Sequence, residues 1–448
     1  MSGYRVTDEL FLWWLGRPQS PRLVGTLHLL RETQGVSLRY CAQWLGSGFA
    51  LSEDLPLTDT EHRPNAYNTE HNTERNSAAG AVDDARPDRW GERIIRFINK
   101  PPRLSLLEYL FFAGDDRFGA LGVSLSSETY LPHRTGPLPA LRDVAEMQEL
   151  VSRVIANRPI PEDKRRLIAP GTTLGGVRPK ALITIGGSQW VVKFAEEEDA
   201  TDTPLIEHAC MTLAEQARIR VAQTQAIALS KRHAVAVLRF DRAGTTQEPL
   251  RVHAHSARVA LRAEGSAMGY SELAQLLRRR GPMEGGIAKE QMRELFRRMV
   301  FNILMDNTDD HEKNHVVLVD ERQLFHLAPA FDVLPTGQAL GYQQMRVGRG
   351  SADSIVDNAL SEAVLFGMTR DEAIVEAAFV AAVCATWKEH FSAKGVTKPD
   401  IKYLAQYLDR EFLAGQRADL AAQALNRPQR EWASSQKSKW VSRNRKDG

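Results

Sequence analysis

The chain has 448 residues and a formal net charge of +2, and its hydrophobic and charged fractions are 43% and 25%. This length predicts more than one domain, and the composition is that of an ordinary globular protein. A net charge of +2 argues neither for a protein that coats nucleic acid nor for an acidic one. No apolar run approaches the roughly 18 residues that a membrane-spanning helix needs, so we expect no membrane partner.

Cys41, Cys210 and Cys384 lie far apart and form no Cys-x-x-Cys motif. This spacing predicts neither a disulfide framework nor a zinc site, and it is typical of a reducing cytosol. The polar start of the chain lacks the apolar core of a signal peptide. We therefore expect a cytoplasmic protein.

Residues 1–156 predict an N-terminal domain that begins with β-structure. Strand-forming runs at 9–15 and 23–30 flank a Pro-containing turn, and a polar stretch from Thr58 to about Ala81 predicts a surface loop. Three segments with apolar residues at helical spacing follow, at 90–98, 104–112 and 141–156.

A glycine-rich segment opens the next predicted domain, residues 157–242. Its hydroxyl and glycine residues before Lys180 include Thr172, Thr173, Gly175 and Gly176. Glycine lets a backbone approach a phosphate closely, although an ordinary loop between strands has the same composition. A β-hairpin pattern follows and carries Lys193 among apolar residues. A strand lysine behind a glycine-rich loop is how kinases hold nucleotide phosphates.

Two further elements complete this predicted nucleotide-binding lobe. The helical pattern at 204–214 puts Glu207 where it could pair with Lys193, and a solvated helix glutamate is an equal alternative. The apolar run at 235–241 occupies the position of the hinge that binds adenine in kinases. Phe240 could pack on the adenine ring there, or simply in the core.

A dense polar cluster between two apolar runs lies at the centre of the next predicted domain, residues 243–425. Asp309 and Asn314 have the D-x-x-x-x-N spacing of a kinase catalytic loop, where the Asp serves the acceptor hydroxyl and the Asn a metal. Asp332 follows an apolar strand, where a kinase has its second metal-binding residue. Oxygen ligands suit Mg²⁺, so we expect Asp309 to be catalytic, with ATP and Mg²⁺ as cofactors.

The same cluster allows other interpretations. Asp310 competes with Asp309 for the catalytic role, or it bonds the loop backbone. His311 and His315 could bind zinc, but the loop lacks the His-Glu-x-x-His arrangement of zinc hydrolases. We expect His311 to hydrogen-bond within the loop.

Taken together, these motifs resemble the HipA-like serine/threonine kinase toxins of bacterial toxin–antitoxin modules. Five segments carry the resemblance in this order: 173–180, 192–194, 238–242, 307–315 and 328–333, with weaker echoes at 50–56, 87–91 and 117–121. The resemblance implies an α+β, bilobal protein-kinase-like fold. It has an N-terminal β-rich subdomain, a nucleotide-binding β lobe and a helical C-lobe.

The resemblance also implies roles for single residues. Asp309 matches the catalytic Asp, Asn314 and Asp332 the metal ligands, and Lys193 the phosphate-contacting lysine. Further nucleotide contacts are expected from Thr173, Gly175, Gly176, Lys180, Leu238, Phe240 and Asp241. The family autophosphorylates a Ser of the glycine-rich loop; here the matching position is Thr173, with Thr172 beside it. Leu238 stands where the family often has an acidic hinge residue.

Family members phosphorylate translation components such as aminoacyl-tRNA synthetases, and a small helix-turn-helix antitoxin usually neutralises them and connects them to DNA. The predicted tail 426–448 is basic from Arg427 to Lys446 and could touch DNA or such a partner, or remain a solvated tail. Two other functions stay open. The first is a non-catalytic binding module that acts with a DNA-binding repressor, which the filled catalytic positions disfavour. The second is a small-molecule phosphotransferase, which the N-terminal motifs disfavour.

Overall fold

The structure is a computed structural model, and it describes residues 4–64, 77–133, 136–168, 176–245 and 247–425. The predictions for Thr172, Thr173, Gly175 and the basic tail therefore lie outside the described residues. Within the described ranges, no helix is both long and apolar enough to span a bilayer.

Five antiparallel strands form the first sheet: β1 (Glu9–Trp14), β2 (Arg22–Leu30), β3 (Gly35–Tyr40), β4 (Glu61–His62) and β5 (Leu121–Ser124). Their order across the sheet is β4-β3-β2-β1-β5. Side chains alternate between the two faces of a strand, which buries Leu10 and Leu12 of β1 on one face. They share a core with Leu107 and Leu110 of a following helix.

Four helices accompany this sheet: α1 (Ala42–Ser47), α2 (Arg89–Ile98), α3 (Leu106–Phe112) and α4 (Val144–Ile155). Helix α2 begins at Asp88, whose side chain accepts a hydrogen bond from Gly91 N. Helix α3 begins at a capping box formed by Ser105 and Glu108. Such caps satisfy backbone N–H groups that have no partner within the helix.

One part of the predicted surface loop at 58–81 is wrong. Ala78 and Ala79 are fully buried, and Ala79 N donates to Val36 O at 2.9 Å. A short 3₁₀ helix, Gly80–Ala85, follows them and is also mostly buried. The small alanine side chains allow this segment to lie directly against β3. The sequence prediction missed this because the stretch 58–81 is polar on average.

The second sheet has four antiparallel strands and one helix: β6 (Lys180–Ile185), β7 (Ser188–Phe194), α5 (Thr203–Gln216), β8 (Thr224–Ala228) and β9 (His233–Leu238). The strand order is β6-β7-β9-β8. Alternation sorts the side chains of β9 onto two faces. Ala234 and Ala236 face a core that contains Trp90 of α2, whereas Val235 and Val237 face the core that contains Leu213 of α5.

The rest of the described chain is mainly helical. Its short strands are β10 (Arg242–Gly244), β11 (Pro249–Arg251), β12 (His253–Ser256), β13 (Val316–Val319) and β14 (Phe325–Leu327). Its helices are α6 (Ala257–Glu264), α7 (Tyr270–Arg280), α8 (Ile287–Leu304), α9 (Val356–Leu360), α10 (Arg370–Cys384), α11 (Trp387–Ala393), α12 (Lys398–Leu408) and α13 (Glu411–Leu425). Helix α8 leads directly into the polar cluster at 307–315.

The core that contains Trp90 joins parts of the chain that lie far apart in sequence. Trp90 and Ile94 of α2 and Val151 of α4 pack there with Ile183 of β6 and Val192 of β7. Helix α2 is therefore attached to the outer face of the second sheet. The predicted boundaries at 156, 242 and 425 remain a prediction.

Asp84 provides a pH test of the contact between the 3₁₀ helix and the helical part. It accepts hydrogen bonds from Ser256 N and Ser256 Oγ, both at 2.7 Å. Burial raises the pKa of Asp84 from 3.8 to about 6, although these bonds oppose the shift. The folded state therefore binds the proton more tightly than the unfolded state, and stability falls as pH rises through this window.

Asp84→Asn keeps an oxygen acceptor for Ser256 and removes the titration. We expect the wild-type melting temperature to fall relative to that of the variant between about pH 4 and about pH 7. Thermal denaturation across this range measures the difference, with Asp59→Asn at an exposed position as the control. Parallel curves for the wild type and Asp84→Asn would contradict the assignment.

Candidate active site

A cleft of about 800 Å³ lies between the second sheet and the helical part. Among the residues that line it are the predicted site residues Gly176, Lys180, Lys193, Asp309, Asn314 and Asp332. These residues come from four separate stretches of sequence. The fold therefore brings together the glycine-rich segment, the strand lysine, the polar cluster and the second acid.

Lys193 lies at the centre of a charge cluster in this cleft. Alternation along β7 turns its side chain toward α5, and its Nζ lies 2.7 Å from Glu207 Oε1 and also bonds Asp332 Oδ1. Burial disfavours the ammonium, but Asp332 and Glu207 outweigh burial and raise the pKa of Lys193. Lys193 in turn lowers the pKa of Asp332 to about 2 against the effect of burial. At neutral pH the cluster therefore holds a lysine cation and an aspartate anion.

Asp332 sits in a backbone conformation that side chains rarely adopt, with φ at +59°. Such strain persists only where the surrounding structure fixes it. Just before it, Ala330 N donates to Arg220 O at 2.7 Å. Phe331 is buried, and its ring centroid lies 5.5 Å from that of Phe240. These contacts fix the backbone just before Asp332, which lines the cleft.

The neighbouring acids Asp309 and Asp310 have different environments. Asp310 is buried, accepts a hydrogen bond from the Tyr270 hydroxyl, and lies 2.7 Å from His315 Nε2. Although burial opposes it, His315 lowers the pKa of Asp310. The side chain of Asp309 is exposed in the cleft. Asp310 therefore fixes the loop, while Asp309 remains available to a second molecule.

Partial loss of solvent around Asp309 raises its pKa, and the charge of Asp332 adds to this shift while His311 opposes it. A carboxylate with a raised pKa accepts a proton more readily than an ordinary aspartate does. His311 Nδ1 accepts from Lys313 N at 3.2 Å, so the ring bonds within the loop.

Asn314 lines the cleft and carries a buried side-chain oxygen. Its Oδ1 has no hydrogen-bond partner among the described residues, and its backbone N donates to His311 O at 2.9 Å. A buried acceptor without a partner is unusual in a native structure and suits a cation. Together with the Asp332 carboxylate it gives the hard oxygen donors that Mg²⁺ prefers beside phosphate oxygens. The residues present therefore fit a magnesium–nucleotide complex.

The predicted hinge residues Leu238, Phe240 and Asp241 do not line the cleft. Asp241 is fully buried and bonds Arg239 Nη2 and Arg242 Nη1, each at 2.7 Å. Burial opposes its charge, but the two guanidinium groups lower the pKa of Asp241. Phe240 packs on Phe331 instead.

Asp241 has a different task. Gly119 N of the first part of the chain donates to its Oδ2 at 2.8 Å. The carboxylate therefore ties the end of β9 to the segment before β5. The sequence around Asp241 and Arg242 gives no indication that the carboxylate bonds Gly119, which lies 122 residues away.

The cleft also contains charged residues that the sequence does not predict as site residues, among them Asp88, Arg178 and Asp199. Asp88 pairs with Lys180 at 2.6 Å, and Arg178 pairs with Asp199 at 2.9 Å; all four residues line the cleft. Asp88 lies in the weak echo 87–91 and Arg178 in the motif 173–180. Both motifs are visible in the sequence, but the sequence does not reveal that Asp88 pairs with Lys180 or Arg178 with Asp199.

Two family models match the chain. The HipA N-terminal domain matches residues 19–124, and the HipA-like C-terminal domain matches residues 172–388. The chain belongs to the HipA-like family. The resemblance seen in the sequence is thereby confirmed.

Solved structures extend this comparison. HipA of Shewanella oneidensis MR-1, in a complex of that toxin–antitoxin system with HipB and operator DNA, is 18% identical, with a TM-score of 0.63 over 92% of this chain and 97% of that chain. This likeness confirms the α+β, kinase-like HipA fold. The Helicobacter pylori proinflammatory kinase CtkA is 13% identical and covers 56% of this chain and 93% of that chain, with a TM-score of 0.42. No curated protein matches the chain in sequence.

Asp310→Asn tests whether Asp310 holds the loop. Losing the charge between Tyr270 and His315 should lower the free energy of unfolding by about 1–3 kcal/mol. Urea denaturation at neutral pH measures this change against Asp59→Asn. A variant as stable as the wild type would show that the loop does not depend on this carboxylate.

Proposed function

We propose that this chain is an ATP- and Mg²⁺-dependent serine/threonine protein kinase of the HipA toxin type. The observation that carries the proposal is the Lys193–Glu207–Asp332 cluster, whose Lys193 and Asp332 line one cleft together with Asp309 and Asn314. Asp309 is exposed there, and the Asn314 oxygen has no hydrogen-bond partner among the described residues. Phosphoryl transfer depends mainly on positioning and on neutralising charge. The cluster is suited to both tasks.

Each residue has a stated task in this proposal. Glu207 orients Lys193, whose ammonium contacts phosphate oxygens, and Asp332 and Asn314 hold the metal. Asp309 orients the acceptor hydroxyl and receives its proton. When bound, ATP with Mg²⁺ supplies the γ-phosphoryl group, and the metal offsets the negative charge of the phosphates. Lys180, beside Gly176, contributes a second cation to the same site.

The acceptor is a Ser or Thr of a cellular protein, and we infer a translation component such as an aminoacyl-tRNA synthetase from family membership. Phosphorylation of such a protein would inhibit growth. HipA of S. oneidensis was solved with HipB and operator DNA. By kinship, we propose that a small DNA-binding antitoxin also binds this chain, in the cytoplasm.

The proposed switch is autophosphorylation of Thr173, with Thr172 as the neighbouring candidate. A phosphate there would add negative charge where nucleotide phosphates bind, and so would disfavour ATP. Thr173→Ala should remove a phosphopeptide that contains residue 173 after incubation with ATP. Mass spectrometry that finds phosphate only at other positions would refute this switch.

Asp309→Asn tests the catalytic assignment. The amide keeps the shape of the side chain but cannot accept the proton, so we expect the transfer rate to fall by about 10²–10⁴-fold. Transfer of labelled phosphate from ATP to proteins of a cytosolic extract measures the rate. Thermal denaturation verifies that the variant is folded.

Asp59→Asn removes one aspartate charge at an exposed position outside the cleft and should transfer phosphate at the wild-type rate. Asp309→Asn, which loses phosphoryl transfer, should also no longer inhibit growth. If Asp309→Asn still inhibits growth fully, toxicity does not arise from phosphoryl transfer.

A further inference from the structure

Two lysines of the cleft face each other across neighbouring strands. Lys180 and Lys193 are directly paired in the register of β6 and β7, so both side chains lie on the same face of the sheet. Like charges in this arrangement destabilise a sheet unless other groups offset them. Glu207 and Asp332 offset Lys193. The carboxylate that offsets Lys180 comes from a different part of the chain.

That carboxylate is Asp88, at the start of α2. Its Oδ2 lies 2.6 Å from Lys180 Nζ, and the two side chains are only 4% and 3% exposed. Its other oxygen, Oδ1, accepts from Gly91 N at 2.7 Å and caps the helix. The next residue but one, Trp90, donates from Nε1 to Lys180 O at 2.8 Å. The first turn of α2 is thus bonded both to the side chain of Lys180 and to its backbone carbonyl.

The pair lies where nucleotide phosphates would bind. Asp88, Arg89 and Lys180 all line the cleft. Gly176 has φ at +97°, and a Cβ built there would lie 3.0 Å from Lys180 Nζ. The ammonium therefore lies next to Gly176 of the glycine-rich segment, the part of a kinase-like site that contacts phosphates.

We propose that Asp88 is a positioning residue that holds Lys180 in the nucleotide-phosphate site, and that it couples phosphate binding to the packing of helix α2. This inference rests on the proposed kinase function and adds a part of the HipA N-terminal domain to its site. An ammonium has three donors, so Lys180 can bond Asp88 and a phosphate oxygen together. Because coupling is reciprocal, phosphates bound at Lys180 stabilise α2.

Asp88→Asn isolates this role. Asn is as good a helix cap as Asp, so the bond from Gly91 N is retained while the charge facing Lys180 is removed. The matched control is Asp83→Asn. Asp83 is also buried, pairs with Arg86 at 3.4 Å and Arg262 at 3.5 Å, and does not line the cleft.

Hydrogen exchange of the full chain is the decisive measurement, because it reads α2 directly rather than activity. With Mg²⁺ and a non-hydrolysable ATP analogue, amides of Arg89–Ile98 should exchange more slowly in the wild type and in Asp83→Asn. Adenosine, which has no phosphates, should leave them unchanged. Asp88→Asn should lose the slowing by the analogue, whereas a purely structural role would alter exchange equally with and without it.

Activity gives a second reading. We expect kcat/KM for ATP to fall roughly tenfold in Asp88→Asn, as for the loss of a hydrogen bond to a charged group, and Asp88→Glu should restore part of it. The inference is overturned if the wild type binds the analogue without any change in α2, or if Asp88→Asn keeps the slowing. A wild type that neither binds the analogue nor transfers phosphate would overturn the proposed function itself, and this inference with it.

Discussion

The cleft depends on two lysines that lie opposite each other on neighbouring strands. Lys180 and Lys193 can occupy this register only because carboxylates neutralise both of them. Those carboxylates belong to α2, to α5 and to the strained turn at Asp332. A buried charge that loses its partner is strongly destabilising. Charge balance therefore requires the N-terminal part, the second sheet and the helical part to meet at one place.

A second constraint separates two adjacent acids. The buried carboxylate of Asp310 bonds the Tyr270 hydroxyl and His315, and these bonds hold the loop in place. Ala257 N also bonds His315 O at 2.7 Å, which fixes the end of the loop against the start of α6. Asp309 is left exposed on the outer side of a rigid loop. This is the arrangement that positioned acid–base chemistry requires.

Much of this could be predicted from the sequence because the signals are local. The hairpin pattern identified β6 and β7, helical spacing identified α5, and the fixed spacing of Asp309 and Asn314 identified the loop. Glu207 could be proposed as a partner of Lys193 because the two residues lie on consecutive elements, β7 and α5, and are only 14 residues apart. Asp88 and Lys180 are 92 residues apart, and only the packing of Trp90 on the second sheet brings them together. The bond from Gly119 to Asp241 likewise joins the first part of the chain to the end of β9, and the burial of Ala78 depends on its packing against β3.

Calorimetric titration with a non-hydrolysable ATP analogue, with and without Mg²⁺, tests the central claim most directly. For the wild type we expect Mg²⁺ to strengthen binding by roughly tenfold or more, which corresponds to about 1.4 kcal/mol. Asp332→Asn should bind the analogue with little dependence on Mg²⁺, because the negatively charged one of the two metal ligands becomes neutral. Equal affinity of the wild type with and without Mg²⁺, or no binding at all, would contradict a magnesium–nucleotide site at Asp332 and Asn314.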